Sequence, residues 1–298
     1  MQAQKPSRGK MKSYIEGYLF LLPWLCGFLL FTIWPIIQSF LLSFTSYDIF
    51  TPPKFIGLQN FVEMFTSDRI FKKALWVTLK YVLMSVPLKL CMALFIAMIL
   101  SQKLRGIGIY RTIYYLPSIL GASVAMSVTW KMVLGYDGFV NYFLGLFGLG
   151  PVNFLANPSL SLPTLAMISA WQFGSAMLIF LSGLKNVPQE LYEAAEVDGA
   201  RWWKRFIHIT LPMLSPTILF NFIMNMIGSF QVFTEAFVMT RGGPVDSTYF
   251  YVLHLYRTAF ENFRMGYASA LAWLLTIIIV IVTAITFKIS DHYVYYEN

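Results

Sequence analysis

The most ordered polar stretch in this 298-residue sequence is EAAEVDGARWWKRFIHITLPMLSP, residues 193–216, which lies between two long apolar runs. Pro188 and Glu190 precede it. Proline is tolerated at the start of a helix, and negative charge there meets the positive end of the helix dipole. Gly199 can take the left-handed conformation that ends a helix. The pattern therefore predicts a short helix over about residues 190–197, ended by a glycine turn.

Small and acidic side chains share that predicted helix. The methyl groups of Ala194 and Ala195 leave room for the backbone of a second protein, and Glu193 and Glu196 can reach cationic or amide groups around it. A second helix is expected from about Ala200. It would place Arg201, Arg205 and His208 on one face and Trp202, Phe206 and Ile209 on another. We expect the second helix to lie along the lipid headgroups until Pro212 turns the chain into the next span. A docking helix is favoured over a solvated loop helix without a partner.

Neutral polar side chains recur in two of the apolar runs. One run contains Trp171, Gln172 and Ser175, and the other contains Asn221, Asn225, Ser229, Gln231 and Glu235. Side-chain amides can donate hydrogen bonds to sugar hydroxyls and accept hydrogen bonds from them. Aromatic faces can cover the apolar faces of pyranosides. The same residue types also join neighbouring membrane helices. The sequence leaves a substrate pathway and helix-to-helix contact equally open.

Lys89, beside Pro87, is the lone cation near the middle of a span. A lysine that snorkels or pairs within the bundle is favoured over a contact in a translocation pathway.

The composition indicates an integral membrane protein. Hydrophobic residues make up 57% of the chain and charged residues only 12%, whereas soluble domains carry about 25% charged residues. The formal net charge of +8 fits basic cytoplasmic loops beside anionic lipid better than a nucleic-acid surface. Nucleic acid is therefore excluded as a partner, and the bilayer is expected as one.

Six apolar runs are long enough to span a bilayer, which takes about 20 helical residues. They predict an all-α protein with six transmembrane helices at about residues 18–44, 74–100, 111–134, 160–184, 212–236 and 265–288. Lysine and arginine are more frequent in the segments that lie inside if both termini are cytoplasmic, and the outer loop 135–159 has neither residue. The expected organisation is a cytoplasmic tail at 1–13, a transmembrane domain at 14–290 with a cytoplasmic loop at 185–211, and a cytoplasmic tail at 291–298.

Catalytic and metal-binding patterns are absent from the sequence. It has no GxxxxGK[ST] phosphate loop, and His208, His254 and His292 are scattered without HExxH, CxxC or paired carboxylates. We therefore expect no catalytic residues, no metal site and no cofactor bound by this chain, which argues against a membrane enzyme. No span has an acid at its middle, which argues against a proton-driven carrier.

The polar loop carries a family resemblance. EAAEVDGA, followed by Phe206, Ile209, Leu211-Pro212 and Pro216, resembles the EAA loop of bacterial ABC importer permeases, EAAxxDGAxxxxxFxxIxLPxLxP. The segments GLQNFVEMF, KLRGIGIYRTIYYLPSIL and SFQVFTEAFVMTRGGP are similar to those of the sugar-uptake branch of that family. The resemblance covers about residues 14–290. Arg241 stands where a small residue is more usual.

The resemblance implies a type I ABC importer permease fold in the bacterial plasma membrane. The chain would form half of the pathway for a sugar or oligosaccharide, in a heterodimer with a second permease. Two ATPase subunits would use ATP and Mg, and an extracellular or periplasmic solute-binding protein would deliver the substrate. The residues expected to couple to the ATPase are Glu190, Glu193, Ala194, Ala195, Asp198, Gly199 and Ala200.

The sequence is also compatible with two alternative functions. The same kind of importer could carry glycerol phosphate or another polyol derivative, although a phosphorylated cargo would favour cations in the pathway and Lys89 is the only one near the midplane. A channel or carrier that needs no ATPase is the other alternative.

Overall fold

The computed structural model describes residues 8–102, 106–121 and 123–290. Helices dominate these residues: α1 Arg8–Phe28, α2 Trp34–Leu42, α3 Gln59–Thr66, α4 Arg69–Leu100, α5 Ile107–Leu120, α6 Val124–Val133, α7 Phe139–Leu146, α8 Ser161–Trp171, α9 Gly174–Asn186, α10 Gln189–Val197, α11 Trp202–Arg205, α12 Leu211–Phe230, α13 Tyr251–Tyr256 and α14 Met265–Ser290. Four π-helical segments continue or follow helices, at Leu29–Ile33, Phe206–Thr210, Ala236–Thr240 and Arg257–Glu261. The predicted tail at 291–298 and most of that at 1–13 lie outside the described residues.

One feature departs from the predicted all-α fold. Two short strands, β1 Thr45–Ser46 and β2 Lys54–Phe55, pair in antiparallel fashion. The Asn60 side chain donates hydrogen bonds to the backbone oxygens of Ser43 and Thr45, at 2.8 and 2.9 Å, and thereby fixes the start of the hairpin. Each strand is only two residues long, which is too short to give a recognisable alternating pattern in the sequence.

Four helical stretches among the described residues are long and apolar enough to cross a membrane. They are Tyr18–Leu42, Arg69–Leu100, Trp202–Phe230 and Met265–Ser290. The pairs α5 with α6 and α8 with α9 meet the same criterion as bent pairs, so the described residues give six spans if each pair is one span. The second stretch begins five residues before the predicted boundary of 74 because the Asp68 carboxylate caps it, accepting the Phe71 amide at 2.8 Å.

The regions predicted as spans at 111–134 and 160–184 each contain two helices with a break between them. The α5–α6 pair bends by 101° and the α8–α9 pair by 48°. At the second break, the Ser118 hydroxyl of α5 donates to the Gln172 carbonyl oxygen and accepts the Ser175 amide, both at 3.1 Å. A helix can break at membrane depth only where other groups satisfy the backbone. A side chain from another helix therefore makes this break possible.

The predicted turn at Pro212 is also absent. The chain runs from Trp202 to Phe230 as one helical stretch through the π-helical segment Phe206–Thr210. Leu211 donates its amide to the Phe206 oxygen, five residues earlier. A π turn already leaves a carbonyl without its usual partner, so a proline directly after it breaks nothing further. The helix ends at Phe230, six residues before the predicted boundary at 236.

The chain divides into two compact units, Met1–Glu63 with Thr258–Leu274 and Met64–Arg257 with Leu275–Asn298. In the first unit, Arg264 forms a two-pronged ion pair with Glu63 at 2.7 and 2.8 Å. The Phe40 and Trp273 rings meet edge to face, with centroids 5.0 Å apart. This unit thus ties the hairpin region to the start of α14.

In the second unit, α4 packs against α8, α9 and α12. Its apolar core includes Val77, Leu165, Ala236, Phe250 and Leu253. A side chain at Gly183 would place a Cβ 2.8 Å from Thr217 Oγ1, so only glycine allows α9 and α12 to approach this closely.

Helix α13 is anchored to the first turns of α4. The Tyr251 amide donates to the Thr78 hydroxyl at 2.9 Å, and His254 Nε2 lies 3.0 Å from Asp68 Oδ2. Burial raises the pKa of the Tyr251 phenol above its usual range, and the Asp68 carboxylate adds to that shift. The segment after α12 is therefore held on the second unit by its own polar contacts.

Candidate functional site

The predicted short helix is present as α10, Gln189–Val197. Pro188 occupies its N-cap position, one residue before the expected first helical position. Gly199 has a φ of +72°. The Ala200 amide donates to the Ala195 oxygen at 2.8 Å, and the Gly199 amide donates to the Glu196 oxygen at 3.0 Å. This pair of hydrogen bonds is a Schellman motif, which satisfies the last carbonyls and fixes the end of the helix.

The outer face of α10 is open. Glu190, Glu193, Ala194, Asp198 and Gly199 are exposed, and Ala195 and Ala200 are half-buried. Val197, an apolar side chain, is 88% exposed at the last helical position. The small residues therefore border a surface that a second protein can approach closely.

Two side-chain contacts tie α10 to the long helical stretch that follows it. The Tyr192 and Thr210 hydroxyls lie 2.9 Å apart. Arg205 Nη1 donates to Glu196 Oε2 at 3.1 Å. These two contacts join α10 to the stretch Trp202–Phe230.

A polar cavity of about 340 Å³ lies in the second unit, farther along that stretch. Six of the predicted pathway residues line it: Lys89, Gln172, Asn225, Ser229, Gln231 and Glu235. Four helical regions contribute to these walls, namely α4, the α8–α9 break, α12 and the segment after α12. The break in the helix therefore lies at the cavity wall, where Gln172 is one of the lining residues.

Three of the predicted pathway residues lie outside the cavity lining. Trp171 packs edge to face on Trp130, with ring centroids 5.3 Å apart. The Ser175 amide bonds the Ser118 hydroxyl. Asn221 is 1% exposed, and its side chain reaches the Ala176 oxygen at 3.5 Å. For these three, the contacts observed are those of helix packing.

Other lining residues, including Tyr81 and Ser169, were not predicted from the sequence. Tyr81 is 2% exposed and sits one turn of α4 before Ser85, which in turn precedes Lys89 by one turn. This spacing of four residues places all three on one helix face, a signal that was present in the sequence. The Ser85 hydroxyl donates to that of Ser229 at 3.3 Å and joins α4 to α12 beside the cavity.

Lys89 and Glu235 give the cavity one charge of each sign. Lys89 is half-buried, Glu235 is buried, and the two attract each other electrostatically. Because this one cation is balanced by one carboxylate, the two side chains give the cavity no net positive charge with which to bind an anion.

The turn 241–248 is held by contacts with two basic side chains. Arg241 has a φ of +52°, a conformation that glycine adopts more readily, and Arg257 donates to its carbonyl oxygen at 3.0 Å. Lys73 binds both Asp246 Oδ2 and the Val245 oxygen, at 2.8 and 2.9 Å. The arginine at this unusual position is thus accommodated by a neighbouring cation that holds its backbone.

Apolar helices around a polar cavity, with a tightly capped helix outside the apolar stretches, define a multi-pass transport protein of the membrane. The chain belongs to the family described as binding-protein-dependent transport system inner membrane component, whose pattern matches residues 69–294. It is accordingly the permease of an ABC transporter in the bacterial inner membrane.

Several characterised or named proteins are similar along nearly their full length. The probable ABC transporter permease protein YesP of Bacillus subtilis is 50% identical, over 99% of this chain and 97% of the relative. The lactose transport system permease protein LacF of Rhizobium radiobacter is 32% identical, over 94% of this chain and 96% of the relative. The arabinooligosaccharides transport system permease protein AraP of Bacillus subtilis is 32% identical, over 93% of this chain and 88% of the relative.

Solved structures agree on the fold. A chain of a bacterial ABC transporter involved in the import of the acidic polysaccharide alginate matches with a TM-score of 0.81 at 24% identity, covering 95% of this chain and 98% of that chain. The same kind of transporter in complex with an alginate pentasaccharide-bound periplasmic protein matches with a TM-score of 0.82. The fold is that of a type I ABC importer permease.

Proposed function

We propose that this chain forms half of the translocation pathway for a neutral sugar or oligosaccharide in an ABC importer. The observation that carries the proposal is the exposed helix α10, fixed by its Schellman motif and tied to the helix that lines the polar cavity. The lactose and arabinooligosaccharide permeases named above support this class of cargo.

The proposed topology has six spans, with each bent pair counted as one, and both termini in the cytoplasm. The transmembrane domain takes in residues 14–290, the coupling loop 185–211 faces the cytoplasm, and the segments 1–13 and 291–298 are cytoplasmic tails. The excess of lysine and arginine on that side supports this orientation.

The proposed coupling surface is the open side of α10 and its glycine turn. Glu190, Glu193, Ala194, Ala195, Asp198, Gly199 and Ala200 would contact a separate ATPase. Two such ATPase subunits would bind ATP and Mg, so this chain would have no nucleotide site or cofactor of its own. ATP and the loaded binding protein can drive the cycle only if each binds one conformation better than the other.

The remaining partners are a second permease, forming a heterodimer, and an extracellular or periplasmic solute-binding protein. A transporter complex solved with its periplasmic protein supports the second of these by its fold. The second permease would supply the other half of the pathway.

Neutral sugar is favoured over glycerol phosphate as the cargo. Lys89 faces a cavity that also contains Glu235, and Gln172, Asn225 and Gln231 supply amides that can both donate to and accept from hydroxyls. A glycerol phosphate permease of Salmonella typhimurium is 30% identical to this chain, so family membership alone does not distinguish the two cargoes, and the lining of the cavity supports the preference for neutral sugar.

The test is reconstitution of the chain with its second permease, ATPases and binding protein in proteoliposomes. We expect uptake of the labelled sugar to require internal ATP, and the loaded binding protein to stimulate ATP hydrolysis. Uptake that continues without ATP would establish a channel or carrier instead. Uptake of glycerol phosphate in preference to neutral sugars would overturn the proposed cargo.

A further inference from the structure

A second cavity, of about 420 Å³, lies where α4 ends beside the helix that follows α10. One part of its wall is apolar and comes from Phe95, Met98 and Ile99 of α4 and Leu184 of α9. Phe95 and Ile99 are exposed and belong to a candidate membrane span. This part of the cavity is therefore suited to hydrocarbon.

The other part of the wall is polar and carries a cation. Gln102, Ser101, Tyr192, Thr210 and Arg205 line it. Arg205 uses Nη1 to bind Glu196, and a guanidinium group has further N–H groups with which it can meet a phosphate.

Two aromatic side chains also line the cavity. The Trp202 and Phe206 rings line the cavity and stack with centroids 5.7 Å apart and planes 7° apart. Tryptophan favours the boundary between headgroups and acyl chains because its ring is apolar and its N–H is polar. The aromatic pair thus adds both apolar ring surface and a polar N–H group to the cavity wall.

We propose that this cavity binds one anionic phospholipid, with the phosphate at Arg205 and the first part of an acyl chain along Phe95 and Ile99. The match is one of charge and polarity, because an anionic headgroup faces the cation and hydrocarbon faces the apolar wall. The inference rests on the proposed cytoplasmic side of α10, where the leaflet is anionic. The lipid would contact the same stretch that Tyr192 ties to α10, so it would brace the coupling helix.

The test measures lipid retention by the assembled transporter. The complex is placed in nanodiscs that contain equal amounts of phosphatidylglycerol and phosphatidylcholine, extracted into detergent, and examined by native mass spectrometry. We expect one phosphatidylglycerol per copy of this chain to be retained in preference to phosphatidylcholine. Equal retention of the two lipids, or no retained lipid because another subunit fills the cavity, would overturn the proposal.

Adjacent residues provide matched variants. Arg205→Gln should lower phosphatidylglycerol retention about fivefold, the effect of one cation near a membrane surface. Lys204→Gln removes the same charge from a residue outside the lining and should leave retention unchanged. Trp202→Ala should lower retention, whereas Trp203→Ala, at a more exposed ring outside the lining, should not.

Glu196→Gln separates lipid binding from the ion pair. This variant removes the negative charge from the contact between residues 196 and 205 but keeps the cation, so retention should be unchanged or higher. Equal losses in the Arg205→Gln and Lys204→Gln variants would reduce the effect to general surface charge and reject the site. Retention is measured without sugar or ATP, so failure of the proposed cargo or coupling would leave this result distinguishable.

Discussion

The hydroxyl of Tyr192 on α10 lies 2.9 Å from the hydroxyl of Thr210, the last residue of the π-helical segment Phe206–Thr210. Thr210 is buried, and the helix continues from it through Asn225 and Ser229, which line the polar cavity. This single contact therefore joins the proposed ATPase surface to a wall of the proposed pathway.

Removing that contact should weaken coupling. In Tyr192→Phe, we expect basal ATP hydrolysis of the assembled transporter to persist and its stimulation by the loaded binding protein to fall severalfold, since a net hydrogen bond contributes about 1 kcal/mol. Thr210→Val should have a similar effect. The double variant should be no worse than either single one because both remove the same bond. Fully additive losses would show that the two hydroxyls act separately.

The glycine turn should tolerate residues in order of their ability to adopt a positive φ. Gly199→Asn should retain most uptake, Gly199→Ala should lose part of it at a cost of about 1–2 kcal/mol, and Gly199→Pro should abolish it because proline lacks the amide that bonds the Glu196 oxygen. Membrane insertion should be normal in all three. Uptake is measured with labelled sugar at matched protein levels. Normal uptake by Gly199→Pro would exclude a coupling role for the turn.

The small side chains of α10 should be required for close approach of the ATPase. We expect Ala194→Trp and Ala195→Trp to lower co-purification of the ATPase and to abolish uptake, while the chain still inserts. Ala194→Ser and Ala195→Ser, which add one oxygen, are the size controls and should remain active. Binding of ATPase by the tryptophan variants at the level of the original chain would place the contact surface elsewhere.

Two asparagines one turn apart on α12 should behave differently. Asn225 lines the cavity, whereas Asn221 is buried against α9. Asn225→Ala should lower sugar uptake with little change in thermal stability. Asn221→Ala should lower stability by about 0.6 kcal/mol, the average for such contacts between membrane helices. Thermal unfolding in detergent and uptake in proteoliposomes measure the two effects, and the opposite result would assign Asn221 to the pathway and Asn225 to helix packing.

Lys89 and Glu235 should be coupled. Lys89→Met leaves Glu235 without the opposite charge in a partly enclosed cavity, so it should lower stability and uptake, and Glu235→Gln should do the same. The double variant should recover part of the loss, with an interaction energy of about 0.5–3 kcal/mol for groups that share an environment. Thermal unfolding of the four proteins measures this energy. An interaction energy of zero would assign Lys89 to snorkelling toward the membrane surface.

The ends of α10 could be predicted from the sequence because they depend on neighbours within a few residues. Glu190 in the first turn and Gly199 after the last turn are local signals, and both stand where the structure requires them. The apolar runs were equally local, since the length of a run alone indicates whether it can span a bilayer. The resemblance of the EAA loop depended on the same short segment.

The tertiary structure decided where helices break and which polar residues face one another. The break at Gln172 requires a hydroxyl from Ser118, 54 residues earlier in the chain, so no local pattern could reveal it. The proline at 212 leaves the helix intact because the preceding π turn changes the bonding of its backbone. Asn221 and Asn225 look alike in the sequence, and only the position of α9 buries one and leaves the other at the cavity. Hydrogen bonds between helices depend on packing, which a pattern along one helix does not contain.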